Sequence, residues 1–263
     1  MDKFEPPSPP PFRSELPPVK LVATDMDGTL TRRGRFTADL LEGLDRLNQA
    51  NLSVVVITGR SAGWVQGLAH YLPIAGAIAE NGGLYVPGAN AEAELLVDLP
   101  NGSAHRQQLS TMFDTLRQQC LDLTPSSDNP FRLTDWTFDV AGLTQAQLDQ
   151  LKQTCQAAGW GFTYSTVQCH IYPAGQSKAA GLQRVLNQHF PTLTAQEVLT
   201  VGDSPNDESL FDRDLFPHGV GVANLKDYWD RLTHHPTGVT AAPEVDGFLE
   251  LVEVLVSKGQ GRC

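Results

Sequence analysis

The sequence lacks the features that mark a zinc-bound, secreted or membrane-spanning chain. It has four cysteines in 263 residues, Cys120, Cys155, Cys169 and Cys263. Their spacing matches no zinc pattern and there is no C-x-x-C, so reduced thiols in a cytoplasmic protein are expected. The closing Gly-Gln-Gly-Arg-Cys is not a prenylation signal. No apolar run approaches the length of a membrane span. Residues 1–18 hold seven prolines and none of the apolar stretch a secretion signal needs. They are read as a flexible, partly polyproline-II tail. Without such a signal, Asn51-Leu52-Ser53 and Asn101-Gly102-Ser103 are read as chance matches to the glycosylation pattern. Walker A and G-x-G-x-x-G sequences are missing, which disfavours nucleotide loops of those types. Positive charge is scarce: 19 Lys and Arg stand against 30 Asp and Glu, a net charge of −11. Such a surface repels nucleic-acid backbones and anionic lipid, while leaving room for a local basic pocket.

What is present is a pattern of strands alternating with helices. With 41% apolar residues, the chain can bury one large domain, or a core domain carrying a smaller one. Lys20–Thr24, Ser53–Thr58 and Ala75–Ala79 read as short buried strands. Between them, Leu40, Leu41, Leu44 and Leu47 recur at helical spacing after Thr37, and Trp64, Val65, Leu68 and Ala69 after Ser61. Strand alternating with helix implies a parallel α/β sheet with right-handed crossovers. The pattern resumes with strands at Glu197–Val201, Gly219–Ala223 and Gly238–Ala241 and a helix over Val245–Val256. The middle of the chain differs. Helices over Ala104–Cys120 and Thr144–Ala158 and strands over Phe131–Val140 and Gly161–Ile171 suggest a separate α/β layer inserted into the first sheet.

Four short motifs follow strands or helix starts. Asp25 and Asp27 end the first strand, at the carboxyl edge where open α/β sheets bind ligands. Two carboxylates so placed need a cation or a shared proton, and Gly28 allows the sharp turn beside them. An Asp-Gly pair after a strand is equally an ordinary turn. Thr58-Gly59-Arg60-Ser61 can offer a hydroxyl and backbone amides to an anion, or can simply be a turn with Ser61 as helix cap. Lys178 opens a helix, where a cation opposes the macrodipole, and a phosphate-holding role would explain it; a solvated surface lysine is the alternative. In Gly202-Asp203-Ser204-Pro205-Asn206-Asp207, helix capping accounts for Ser204, Pro205 and part of Asp207 but leaves Asp203 unexplained. Together the residues make a plausible phosphoryl-transfer site, with carboxylates to hold Mg²⁺ and a lysine and hydroxyl to neutralise phosphate oxygens.

With these motifs in this order, the sequence resembles the haloacid dehalogenase superfamily. Glu80-Asn81-Gly82-Gly83 and Thr240–Gly247 are similar to subfamily IIB, the Cof-like and sucrose-phosphatase-like members. The resemblance implies a Rossmann-like parallel-sheet core of two segments, residues 19–86 and 173–257. It also implies an inserted α/β cap over 87–172, with tails at 1–18 and 258–263. It further implies that Asp25 attacks phosphorus and that Asp27 serves as acid and then base. Mg²⁺ would be held by Asp25, the Asp27 carbonyl and Asp203, with Asp207 in outer contact. Thr58, Gly59, Lys178 and Asn206 would hold the phosphoryl group. Asp27 argues against a dehalogenase, which usually lacks that second acid, and Gly28 departs from sucrose phosphatases, which tend to carry Asn there.

Substrate choice is expected to lie with the cap and with the flap after the first motif. Arg32, Arg33 and Arg35 form the densest basic cluster, to be read either as an anion contact or as a solvated hairpin. Glu80 and Asn81 are further candidates on the substrate side. Asp135, Trp136, Asp139 and His170 are read either as contacts to sugar hydroxyls or as strand residues facing solvent. The expected function is Mg²⁺-dependent hydrolysis of a small phosphorylated substrate, a sugar phosphate or phosphorylated glycoside, by a monomer or weak homodimer. A phosphotransferase or mutase on the same site, and a non-catalytic binding protein, are the alternatives.

Overall fold

The structure is a computed structural model that describes residues 9–13, 16–88, 91–99 and 101–259. The remainder of the two expected tails, Cys263 included, lies outside the described residues. In chain order the elements are Leu21–Thr24 (β1), Ala38–Gln49 (α1), Ser53–Ile57 (β2), Ala62–Tyr71 (α2), Gly76–Ala79 (β3), Leu84–Val86 (β4) and Glu94–Leu95 (β5). Then come Gly102–Gln119 (α3), Trp136–Asp139 (β6), Gln145–Ala157 (α4), Trp160–Tyr164 (β7), Gln168–Pro173 (β8) and Lys178–His189 (α5). Val198–Gly202 (β9), Gly219–Gly221 (β10), Gly238–Val239 (β11) and Glu244–Gly259 (α6) complete the chain. Among the described residues no helix is long and apolar enough to cross a membrane.

The chain divides into two compact units, Met1–Val55 with Thr192–Cys263, and Val56–Pro191. In the first, four strands lie in the order β11-β10-β9-β1, each pair parallel. All four residues of β1 are buried, as suits a strand covered on both faces. The register sets Leu21 against Val198 and Thr24 against Val201, so the turns that follow β1 and β9 leave the same edge of the sheet. On one face, α1 buries Leu40, Leu44 and Leu47, each contributing about 1.5–3 kcal/mol. Its start is fixed by Thr37, whose Oγ1 accepts from the Leu40 amide at 3.2 Å. Gly43 lets α6 close in, since a Cβ there would stand 2.8 Å from Leu249 Cδ2. Part of the expected flexible tail is tied down: the Val239 amide donates to Pro10 O at 2.9 Å and the Phe12 amide to Val239 O at 2.8 Å.

The second unit holds β3, β4 and β5 in that order, with antiparallel pairing. It also holds a separate antiparallel sheet, β6-β8-β7. That sheet shares a core with α3 and α4 around Leu109, Phe113, Leu116, Phe138, Leu151 and Ile171. The segment 87–172 expected as an insertion lies wholly within this unit.

Two expected strands differ. The strand read over 131–140 begins only at Trp136. Before it, the amides of Leu133, Thr134 and Asp135 turn toward the Glu80 carboxylate, so they cannot enter a ladder. The strand read over 161–171 is instead a hairpin, β7 and β8, broken at Ser165, whose hydroxyl accepts from the Val167 amide at 3.1 Å.

Candidate active site

In the first unit, Asp25 follows β1 and Asp203 follows β9. Asp25 is 3% exposed, and Asp203 and Asp207 are fully buried. Carboxylate oxygens of these three lie within 4.8 Å of one another. At that separation two unit charges repel by about 3.5 kcal/mol at an effective dielectric of ~20. Three such groups need a cation or protons to share the space. An all-oxygen donor set of this charge fits a hard divalent cation.

The backbone around them is shaped for close approach. Gly28 has φ +86°, and a Cβ on it would stand 2.3 Å from Asp203 Oδ2. Its amide donates to Thr31 Oγ1 at 3.0 Å, and the Leu30 amide closes the turn on Met26 O at 2.8 Å. Asp27 is half-buried and stands outside the three-carboxylate group. Asp207 Oδ2 accepts from the amides of Asp203 and Ser204, at 2.9 and 3.1 Å. It therefore shapes the turn that carries Asp203, in keeping with the partly structural role read for it. Asn206 sits on the same turn, its Oδ1 accepting from Ser204 Oγ at 2.7 Å.

Sequence reasoning missed Asn224. Its Nδ2 donates to Asp203 Oδ2 at 2.8 Å and to Gly28 O at 3.0 Å. Its Oδ1 accepts from the Glu244 amide at 2.9 Å. One side chain thus ties together the turn after β1, the turn after β9 and the start of α6. The available signal was position: Asn224 comes three residues after β10, at the edge that carries Asp203.

The flap is a tight hairpin. Arg32 and Arg35 bond backbone to backbone across Arg33 and Gly34, whose φ values are +51° and +73°, as a tight hairpin turn requires. The Arg32 guanidinium pairs with Asp246, Nε lying 3.2 Å from Oδ2. Arg33 and Arg35 are exposed.

In the second unit, Thr58-Gly59-Arg60 leaves the end of β2. Thr58 is 1% exposed, and its Oγ1 accepts from the Arg60 amide at 3.1 Å. The helix cap expected from Ser61 comes instead from Glu80, whose Oε1 accepts from the Ala62 amide at 3.0 Å. The helix start is therefore not open to an anion in the way the sequence suggested. Lys178, the first residue of α5, is fully buried. A cation at a helix N-terminus opposes the macrodipole. Its helix packs tightly on the turn after β3, because a Cβ on Gly181 would stand 2.6 Å from Gly82 Cα.

Glu80, expected on the substrate side, is fully buried and committed to the protein. Besides Ala62 it accepts from the amides of Leu133, Thr134 and Asp135, at 3.0, 2.6 and 3.3 Å, and from Thr134 Oγ1 at 2.8 Å. Burial, with the Asp135 charge adding to it, pushes its pKa up; the amide donors oppose this. Asn81 is 2% exposed, and its amide donates to Thr58 O at 3.0 Å.

The same unit buries Arg132, Asp135 and His170. Arg132 donates from Nη1 to Asp135 and to Gly59 O, each at 2.9 Å. From Nη2 it donates to Asp128 and Gln168, at 2.8 and 2.9 Å, and from Nε to Asp128 at 3.2 Å. All five N–H groups find acceptors. His170 Nδ1 lies 2.8 Å from Asp135 Oδ2. Asp135 and His170 are thus not strand residues facing solvent, whereas Asp139 is exposed. A cleft of about 760 Å³ beside α3, lined by Asp98, His105, Gln108, Trp160 and Pro173 among others, contains none of the residues read as chemical. Cys120, Cys155 and Cys169 are free thiols, and burial pushes Cys155 up to about 12.

Comparison with known proteins follows the same lines. Residues 22–129 and 100–251 match the family described as haloacid dehalogenase-like hydrolase. A phosphoglycolate phosphatase of Metallosphaera sedula is 27% identical over 196 residues, covering 73% of this chain and 81% of that protein. A phosphoglycolate phosphatase of Aeropyrum pernix is 26% identical over 239 residues, covering 89% and 92%. The crystal structure of Thermoplasma acidophilum 0175 shares the fold, with a TM-score of 0.70 at 21% identity over 90% of this chain and 99% of that one.

Proposed function

The chain belongs to the haloacid dehalogenase-like hydrolases and is a phosphoric monoester hydrolase, and we propose that Asp25 is its nucleophile and Mg²⁺ its cofactor. The observation that carries this reading is the buried group of Asp25, Asp203 and Asp207, with oxygens within 4.8 Å. Three carboxylates held so close and away from water form a donor set that a divalent cation can occupy. Asp25, Asp203 and Asp207, with the Asp27 carbonyl, are the groups that would hold Mg²⁺. When bound, the ion supplies charge neutralisation for those carboxylates and for the phosphoryl oxygens.

This chain's own residues supply the rest. An Asp25 oxygen forms a bond to phosphorus as the bond to the ester oxygen breaks, giving an aspartyl-phosphate. Asp27 gives its proton to the departing alkoxide, then takes one from the water that releases inorganic phosphate and restores Asp25. Thr58 already accepts a hydrogen bond from the Arg60 amide, so its own O–H is left to donate to a phosphoryl oxygen. Lys178 adds a positive charge and Asn206 a further donor.

The proposed substrate is a small sugar phosphate or phosphorylated glycoside, such as a sucrose-phosphate-like ester. Phosphoglycolate is the second candidate, supported by the names of the relatives above. The test is phosphate release from a panel containing both classes, with and without Mg²⁺ and a chelator. Asp25→Asn is expected to lower kcat by at least ~10³-fold. Activity indifferent to chelation would contradict the metal assignment, and a phosphoryl group recovered on an acceptor instead of as free phosphate would favour a transferase.

A further inference from the structure

His170 occupies an unusual position for a buried histidine. It is 1% exposed, and its ring lies against the Thr58-Gly59-Arg60 loop. A Cβ on Gly59 would stand 2.9 Å from His170 Cε1 and 3.0 Å from Nε2. On its other side Nδ1 lies 2.8 Å from Asp135 Oδ2. Asp135 is itself fully buried and gripped by Arg132 through 2.9 and 3.0 Å bonds. An ionised carboxylate only accepts, so the proton of a neutral ring sits on Nδ1, and Nε2 presents a lone pair. Burial disfavours the charged ring, with Arg132 and Lys178 adding to that effect against the pull of Asp135, so its pKa falls below the ordinary value. Arg132, at the centre of this network, has an acceptor for every N–H. Nε2 hydrogen-bonds to no described residue. It is an open acceptor against the loop assigned above to the phosphoryl group.

We propose that His170 Nε2 accepts a hydrogen bond from a hydroxyl on the leaving-group part of the substrate, so that the enzyme favours hydroxylated phosphomonoesters over carboxylated ones. A carboxylate has no hydrogen to give and meets the lone pair unfavourably; a polyol or sugar hydroxyl supplies the missing donor. The inference rests on the phosphatase reading, with Thr58 and Gly59 at the phosphoryl group. His170 acts here as a specificity residue, while Asp135 and Arg132 position it.

The experiment compares kcat/KM of the full chain for glycerol phosphate and glucose 6-phosphate with that for phosphoglycolate. The wild-type enzyme is expected to prefer the hydroxylated esters. His170→Asn keeps a donor for Asp135 but removes the acceptor at Nε2. It is expected to lose roughly tenfold in kcat/KM for hydroxylated esters, mainly through KM, with little change for phosphoglycolate. His170→Gln carries an amide oxygen to the Nε2 position and is expected to recover part of the loss. Melting temperatures establish that the variants fold. A wild-type preference for phosphoglycolate would overturn the proposal without any variant. So would an equal loss on both substrate classes in His170→Asn, the result of a merely structural role. Hydrolysis retained by Asp25→Asn would overturn the underlying site reading and this proposal with it, whereas the His170 outcomes leave the nucleophile untouched.

Discussion

Asn224→Ala tests whether the acidic group is a metal site held in place by its surroundings. The side chain makes three hydrogen bonds: to Asp203 Oδ2 at 2.8 Å, to Gly28 O at 3.0 Å and from the Glu244 amide at 2.9 Å. A bond to a charged acceptor contributes about 1.5–3 kcal/mol and a neutral one about 0.5–1.5 kcal/mol. Asn224 is only half-buried, so water replaces part of what is lost, and a net destabilisation of about 2–4 kcal/mol is expected. At ~2–4 °C per kcal/mol for a chain of this size, the melting temperature should fall by roughly 5–15 °C. The effect on the metal is separate. Loss of a partner that orients a metal-binding carboxylate commonly weakens metal affinity by about 10–100-fold. The assay is a Mg²⁺ titration of phosphate release at saturating substrate, alongside thermal melts with and without Mg²⁺. The expected result is a higher Mg²⁺ requirement with kcat recovered at high metal. An unchanged Mg²⁺ requirement together with a lowered melting temperature would make Asn224 a stabilising residue only, and would refute its role in orienting Asp203.

Gly28→Ala forces a Cβ to within 2.3 Å of the buried Asp203 Oδ2 at φ +86°. It adds about 1–2 kcal/mol of backbone strain and is expected to displace Asp203 and abolish Mg²⁺-dependent activity; wild-type metal activation in this variant would refute the cradle. Arg32→Ala should leave KM unchanged, because the guanidinium is already paired with Asp246; a raised KM would restore the flap as an anion contact. The folded-state pKa of His170 lies below its ordinary 6.5. The stability that the neutral ring contributes is therefore present above pH 6.5 and is lost as pH falls from 6.5 through the folded value. Thermal melts across about pH 5 to 7.5 should show stability falling on acidification, and His170→Asn should flatten that slope; a wild-type melting temperature that rises on acidification through this range would show the sign to be wrong.

The parallel core was legible because its signals are local. Runs such as Val54-Val55-Val56-Ile57 are buried on both faces, and the hydroxyl of Thr37 caps α1 as expected. Asp25 and Asp203 were legible for the same reason: each directly follows such a run. The failures share a different cause. The strand over 131–140 was over-read because its first residues serve Glu80, some fifty residues earlier in the chain. Ser61 looked like a cap, but a distant carboxylate does the capping. Asn224 was hidden because nothing in its own sequence neighbourhood distinguishes it, and His170, though named as a candidate, stood between two readings for the same reason. Their roles come from contacts with residues 203 and 135, made across long stretches of chain.

Glu80 explains how the loop after β2 is held ready. Glu80 and Asn81 adopt φ of +53° and +54° and Gly82 of +101°. The two non-glycine residues carry roughly 1–2 kcal/mol of strain each in this region. The same bend lets the Glu80 amide donate to Arg60 O and the Asn81 amide to Thr58 O, both at 3.0 Å. Arg132 takes the carbonyl between them, Gly59 O, at 2.9 Å. Every carbonyl of Thr58-Gly59-Arg60 is thereby fixed by a donor from elsewhere in the second unit. The Glu80 carboxylate meanwhile binds the first amide of α2 and the amides at 133–135, which offsets the strain with charge-assisted bonds. With its carboxylate already at the N-terminus of α2, Glu80 makes that end of the helix a poor anion site. On the proposed reading, an anion at this loop depends on the Thr58 hydroxyl and on Lys178. On that reading the strained turn fixes the loop before substrate arrives, which is the preorganisation that electrostatic stabilisation of a phosphoryl group requires.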